Sequence, residues 1–174
     1  MREPFCLIVE CQAKPQAEQV AQHFAGLTYP LPTGRPGQCD IEILLDSEDH
    51  AWCVIAPRGV IEAGAHFLGL FGYTRIRSQH LPAFSWGTAL QQQLYTHLRT
   101  APAFRYALSG VGIDEFAIGR GEGIYSRMLA GSSLLYANGI VFTEALRQAT
   151  GAAAGVEHFC PGYVWRTPRA FFII

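Results

Sequence analysis

The sequence predicts an α+β fold: one mostly antiparallel sheet packed by two or three helices, formed by a single domain spanning residues 1–174. Short apolar runs recur along the chain, bounded by Gly, Pro, Asn or Asp, as strands require. Between them lie segments whose apolar residues repeat at helical spacing. No repeat, low-complexity tract or linker divides the chain.

Phe5-Cys-Leu-Ile-Val reads as a buried first strand. Pro15 suits the first turn of a helix, and Ala17, Val20, Ala21 and Phe24 then form an apolar stripe that ends at Gly26. Tyr29 to Gly37 is rich in Pro and Gly and reads as a loop. In Asp40-Ile-Glu-Ile-Leu-Leu-Asp, the residues Ile41, Ile43 and Leu45 alternate with polar neighbours over part of the run, as in a half-exposed strand. Ser47-Glu-Asp-His is a turn, and Ala51 to Ala56 completes an antiparallel hairpin. Gly59 to Tyr73 is ambiguous. Ile61, Ala65 and Leu68 suit a helix, yet Gly64, Gly69 and Gly72 each weaken one by about 1 kcal/mol. Tyr73 to Arg77 is read as a short strand.

Ser85 can cap a helix in which Trp86, Leu90, Leu94 and Leu98 share one face. Thr88, Gln91, Gln92 and Thr96 lie on the uncharged opposite face. This helix ends before Pro102, which pushes its preceding residue out of α space. Phe104, Tyr106 and Leu108 alternate as a further strand, and Gly119-Arg-Gly-Glu-Gly is a turn. The apolar run from Leu134 breaks at Asn138-Gly139. Ile140 to Phe142 leads into a short helix with Thr143 as N-cap, Glu144 favoured by the helix dipole and Gly151 as a left-handed C′ residue. Val156 to Trp165 is an aromatic segment with a turn at its centre. The apolar tail Ala170-Phe-Phe-Ile-Ile reads as an edge strand or a surface that pairs with a partner chain.

Composition narrows the functional classes. The chain is 49% apolar, enough to bury a core unaided, and only 16% charged. Its net charge of -1 attracts neither nucleic acid nor anionic lipid, so neither is an expected partner. The charge-free stretches are interrupted by Ser, Gln, Asn, Gly and Pro, which argues against a membrane span. Cys6 to Val9 is too short for the apolar region of an export signal. The five cysteines, Cys6, Cys11, Cys39, Cys53 and Cys160, are scattered and odd in number. That pattern fits reduced thiols in the cytoplasm better than a disulfide framework. All basic residues except Lys14 are arginine, which either reflects genome composition or favours interfaces.

The expected site contains no catalytic residue, no metal and no cofactor. His158-Phe-Cys160 lacks a second metal-ligand pair. Cys39, at a strand start after a loop, is the most plausible exposed thiol, with His50 or His66 as a base if the fold brings one near. The glycines 119, 121 and 123 match no phosphate-loop pattern. Asp114 and Glu115 would point to opposite faces of a strand. What stands out instead is surface character. Phe67, Leu68, Leu70, Phe71, Tyr73, Leu81, Phe84 and Trp86 are interspersed with Arg75, Arg77 and His80, a composition typical of interface cores and equally able to fill the domain core.

The motifs Phe104-Arg-Tyr-Ala-Leu-Ser-Gly-Val with Asp114-Glu-Phe, Asn138-Gly-Ile-Val-Phe-Thr-Glu-Ala-Leu, and Phe159-Cys-Pro-Gly-Tyr-Val-Trp resemble those of the cytoplasmic immunity proteins encoded beside polymorphic or type VI-secreted bacterial toxins. The resemblance covers the C-terminal two-fifths of the chain. It implies a non-enzymatic protein that binds one cognate toxin and occludes its active site. Arg75, Arg77, Phe84, Trp86, Asp114 and Glu115 are the protein-binding residues expected from the sequence, with homodimerisation a further expectation. The alternative is a small cytoplasmic enzyme or ligand-binding domain using a Cys/His or glycine-turn site.

Overall fold

The computed structural model describes residues 5–30, 35–47, 50–58, 81–111, 128–131, 139–152 and 154–167, with residues 5, 46, 47, 81–88 and 111 described by backbone alone. These residues form a single α+β domain. In chain order the elements are β1 (Phe5–Cys11), α1 (Lys14–Phe24), β2 (Thr28–Pro30), β3 (Pro36–Ser47), β4 (His50–Pro57), α2 (Leu81–Leu98), β5 (Tyr106–Val111), β6 (Val141–Thr143), α3 (Glu144–Thr150), β7 (Glu157–Cys160) and β8 (Tyr163–Trp165). The eight strands form one antiparallel sheet in the order β2-β3-β4-β1-β5-β6-β8-β7.

The first strand is therefore central. Leu7 pairs with Ile55 of β4 on one side and with Ser109 of β5 on the other. Both sheet faces are covered, which is why β1 is apolar at nearly every position instead of alternating. Leu7, Val9 and Cys11 join one core with Ala17, Val20 and Phe24 of α1, and with Leu90, Leu94, Tyr95 and Leu98 of α2. Cys6 and Ile8 point the other way, packing with Trp52, Tyr106, Met128, Phe142 and Leu146 of α3.

Polar contacts fix the helices on the first face. The Tyr95 hydroxyl of α2 donates to the Gly139 carbonyl at 2.5 Å and accepts from Ser109 Oγ at 2.9 Å, while Gln91 Nε2 donates to that same Oγ at 2.7 Å. Burial pushes the Tyr95 phenol up to about 12, so it stays a neutral donor. At their C-terminal ends α1 and α2 are clipped together. His23 Nε2 lies 3.0 Å from the His97 carbonyl, His97 Nε2 lies 2.8 Å from the His23 carbonyl, and the rings stack at 4.2 Å. Arg99 then lies over the rings of Phe159 and Trp165, joining the end of α2 to the β7–β8 hairpin.

The local signals hold closely at the C-terminal unit. Thr143 Oγ1 accepts from the Leu146 amide at 3.1 Å, and Gly151 ends α3 at φ 66°. The aromatic segment folds as the β7–β8 hairpin, with Gly162 at φ 83° in its turn. Elsewhere there are corrections. The expected loop from Tyr29 contains β2, paired Tyr29 to Gly37, and the Tyr29 ring occupies the space a Cβ on Gly37 would need. The helix α2 starts at Leu81, so Ser85 is interior and Pro82 sits in the first turn, where a missing N–H costs little. Gln91 is buried against Ser109 instead of facing solvent. Phe104 precedes β5 and packs on the α1–α2 face, whereas Tyr106 and Leu108 face the other core. Leu45, expected on the inner face with Ile41 and Ile43, is 55% exposed near the hairpin end, beside the register shift after it. The readings for 59–77, 119–123, 134–138 and 170–174 lie outside the described residues.

Candidate functional site

The predicted protein-binding residues are not brought together by the described structure. Arg75, Arg77, Asp114 and Glu115 lie outside the described residues. Phe84 and Trp86 lie on α2, where only the backbone is described.

Geometry rules out His50 as the base for Cys39. Cys39 is half-buried, opposite Pro57, at one end of the β3–β4 hairpin, and His50 pairs with Ser47 at the other end. The seven-residue step along β4 places them about 24 Å apart at roughly 3.4 Å per residue, too far for proton transfer. Burial, reinforced by the Asp40 charge, pushes the Cys39 thiol up to about 11. Cys11 and Cys53 are pushed up to about 12, again chiefly by burial. Such thiols are protonated at neutral pH and poor nucleophiles. His66 lies outside the described residues. His158 is exposed and Cys160 half-buried, on either side of a register shift in β7. No group of three or more potential metal ligands occurs among the described residues.

A different charged cluster appears in the second core. Glu10, on the central strand, is completely buried. Its register partners are Trp52 of β4 and Tyr106 of β5, so both aromatic side chains flank it on one face. Trp52 Nε1 donates to the Tyr106 hydroxyl at 3.4 Å, and His50 stacks on Trp52. Arg105 Nη1 lies 3.4 Å from Glu10 Oε1, while Oε2 is buried without a hydrogen-bond partner. Burial raises the Glu10 carboxyl above its ordinary value; hydrogen bonding to Tyr106 and Arg105 and the charges of Arg105 and His50 offset part of this. In the sequence Glu10 reads as the end of an apolar run. The one signal was that Cys11, after it, continues the apolar character.

Arg105 also reaches outward. A cleft of about 360 Å³ opens where the C-terminal end of β1 meets the N-terminal ends of β5 and β8, lined by Gln12, Gln16, Phe104, Arg105, Thr143 and Tyr163 among others. Its walls are held by local bonds. Tyr163 stacks on Phe104 at 4.3 Å, and its hydroxyl both donates to the Phe104 carbonyl and accepts from the Phe104 amide at 2.8 Å. The Gln16 side chain accepts from the Gln12 amide at 2.8 Å ahead of α1.

Comparison of the chain with family models, curated proteins and solved structures finds no match. Its class is thus set by architecture alone: an α+β domain with helices on both faces of an antiparallel sheet. Among the described residues, no helix is long and apolar enough to cross a membrane.

Proposed function

We propose that this chain is a non-enzymatic immunity-type protein that binds a cognate secreted bacterial toxin and neutralises it by covering the toxin's active site. One observation carries the reading. The described parts of the three motifs that resemble immunity proteins lie apart in sequence yet occupy neighbouring strands. The Phe104 motif runs into β5, the Asn138 motif forms β6 and the start of α3, and the Phe159 motif forms the β7–β8 hairpin. Together they make the contiguous half-sheet β5-β6-β8-β7. The resemblance therefore concerns one structural unit. The raised thiols of Cys11, Cys39 and Cys53 weigh against the Cys/His form of the competing reading, which needs a thiolate at neutral pH.

Expression together with the product of the adjacent gene, followed by co-purification and a growth-rescue assay, tests the proposal. Stable co-purification with rescue is the expected result. Loss of both removes it. Arg77→Ala or Trp86→Ala should weaken the complex by about 2 kcal/mol if those side chains are its anchors, measured as a change in Kd. Unchanged affinity in both variants would show that binding uses another surface.

A further inference from the structure

The sheet ends on one side in β2, which pairs only with Pro36, Gly37 and Gln38 of β3. β3 itself continues to Ser47, and beyond Gln38 its only partner among the described residues is β4, on its inner side. The Arg58 amide donates to the Gln38 carbonyl at 2.8 Å, so the even-numbered residues of β3 turn their backbone groups toward β4. The odd-numbered residues turn theirs away. Pro57 agrees with this phase: it has no N–H, and it stands opposite Cys39, where no ladder bond is made. The register is unbroken as far as Leu45. The N–H and C=O groups of Ile41, Ile43 and Leu45 therefore point out of the sheet.

The side chains along this edge have a definite pattern. Ile41 and Ile43 are half-buried on the face that carries α1, and Leu45, the next position on that face, is 55% exposed. On the other face Glu42 is exposed and forms no ion pair among the described residues, while Asp40 before it is bonded to Arg58. From Asp40 to Leu45 there is neither proline nor lysine, the residues that commonly guard a bare strand edge.

We propose that the outer edge of β3, from Asp40 to Leu45, docks an extended segment of another protein in which basic residues alternate with apolar ones, added as an antiparallel strand. Residues facing each other in such a ladder share one face of the sheet. The segment's apolar residues then cover Ile41, Ile43 and Leu45, and its basic residues meet Glu42. Main-chain bonds to the three outward residues supply the affinity, and the alternation supplies the selection. A second copy of this chain fits less well. Paired about Ile43 it sets Glu42 against Leu44, and paired about Glu42 it sets that carboxylate against its own copy, so neither register gives it a cation. This edge lies on the opposite half of the sheet from the motifs behind the immunity reading and stands independently of it.

The probe is the blocked peptide Lys-Val-Lys-Val-Lys-Val-Lys, N-methylated at its lysine amides so that it cannot stack on itself. In the free protein the amides of Ile41, Ile43 and Leu45 should exchange with solvent quickly, and those of Glu42 and Leu44 slowly. Saturating peptide in low salt should slow the first set, read by NMR on the intact chain. Moving the methyl groups to the valines, whose amides face β3, should abolish binding. Glu42→Lys, a change at an exposed side chain, should weaken the probe about tenfold. Slow exchange at Ile41, Ile43 and Leu45 in dilute protein without peptide would show that the chain covers its own edge, and overturns the site. Slowing that grows with protein concentration alone assigns the edge to a second copy and overturns the basic partner. No binding of the probe, or binding indifferent to the methyl positions or to Glu42→Lys, also overturns the proposal.

Discussion

At the scale of single residues, Glu10 ties stability to pH. Its carboxyl is raised in the folded protein, so above the ordinary carboxylate range the native state binds a proton more readily than the unfolded chain does. Stability from this group is present in full below the ordinary carboxylate range and is lost as pH rises through the folded value. The wild-type protein should therefore lose stability as pH rises above the ordinary carboxylate range, and Glu10→Gln should flatten that slope. Urea denaturation at a series of pH values measures it, and equal slopes in both proteins would refute the assignment. The sequence could not reveal this residue. A glutamate after five apolar residues looks like a strand end reaching water. It becomes an interior charge only because β4 and β5, far along the chain, close over it.

Elements were legible where their signals are local. Thr143, Glu144 and Gly151 define α3 from within a nine-residue window, and each takes the place its chemistry favours. The stripe of α1 is likewise buried at Ala17, Val20 and Phe24. By contrast, β2 spans three residues ending in Pro30 and exists because β3 pairs with it, with Tyr29 laid across Gly37. Nothing in its composition separates it from a turn. Gln91 has a polar side chain on a helix and reads as solvated until Ser109 is placed beneath it. At seven residues α3 is too short to persist alone, so its cap and its packing decide it. Thr143→Ala should cost about 1 kcal/mol, and Thr143→Ser should recover most of that. Chemical denaturation of the three proteins makes the comparison.

Across the whole molecule, the two covered faces explain the behaviour expected of the thiols. Cys6, Cys11 and Cys53 are fully buried, and Cys39 and Cys160 half-buried. A disulfide reagent at about pH 8 should react slowly with Cys6, Cys11 and Cys53 in the native protein and rapidly with all five thiols in denaturant. Rapid labelling of Cys11 or Cys53 without denaturant would contradict the packing. The site was the least legible part of the molecule, for the same reason that the architecture was only partly so. Strand periodicity gives an antiparallel sheet, but the order that sets β1 at its middle, and with it the Glu10–Arg105 pair at the cleft, is made by contacts far apart in sequence.

That order also bears on how the polypeptide comes off the ribosome. The strand destined for the middle emerges before both of its neighbours, which follow roughly fifty and a hundred residues later. At about 5–20 residues per second the nascent segment waits several seconds, sticky and unpaired. During that wait a charge inside Cys6–Cys11 helps keep it from adhering to other chains. Once the partners arrive, the same charge is enclosed in the interior.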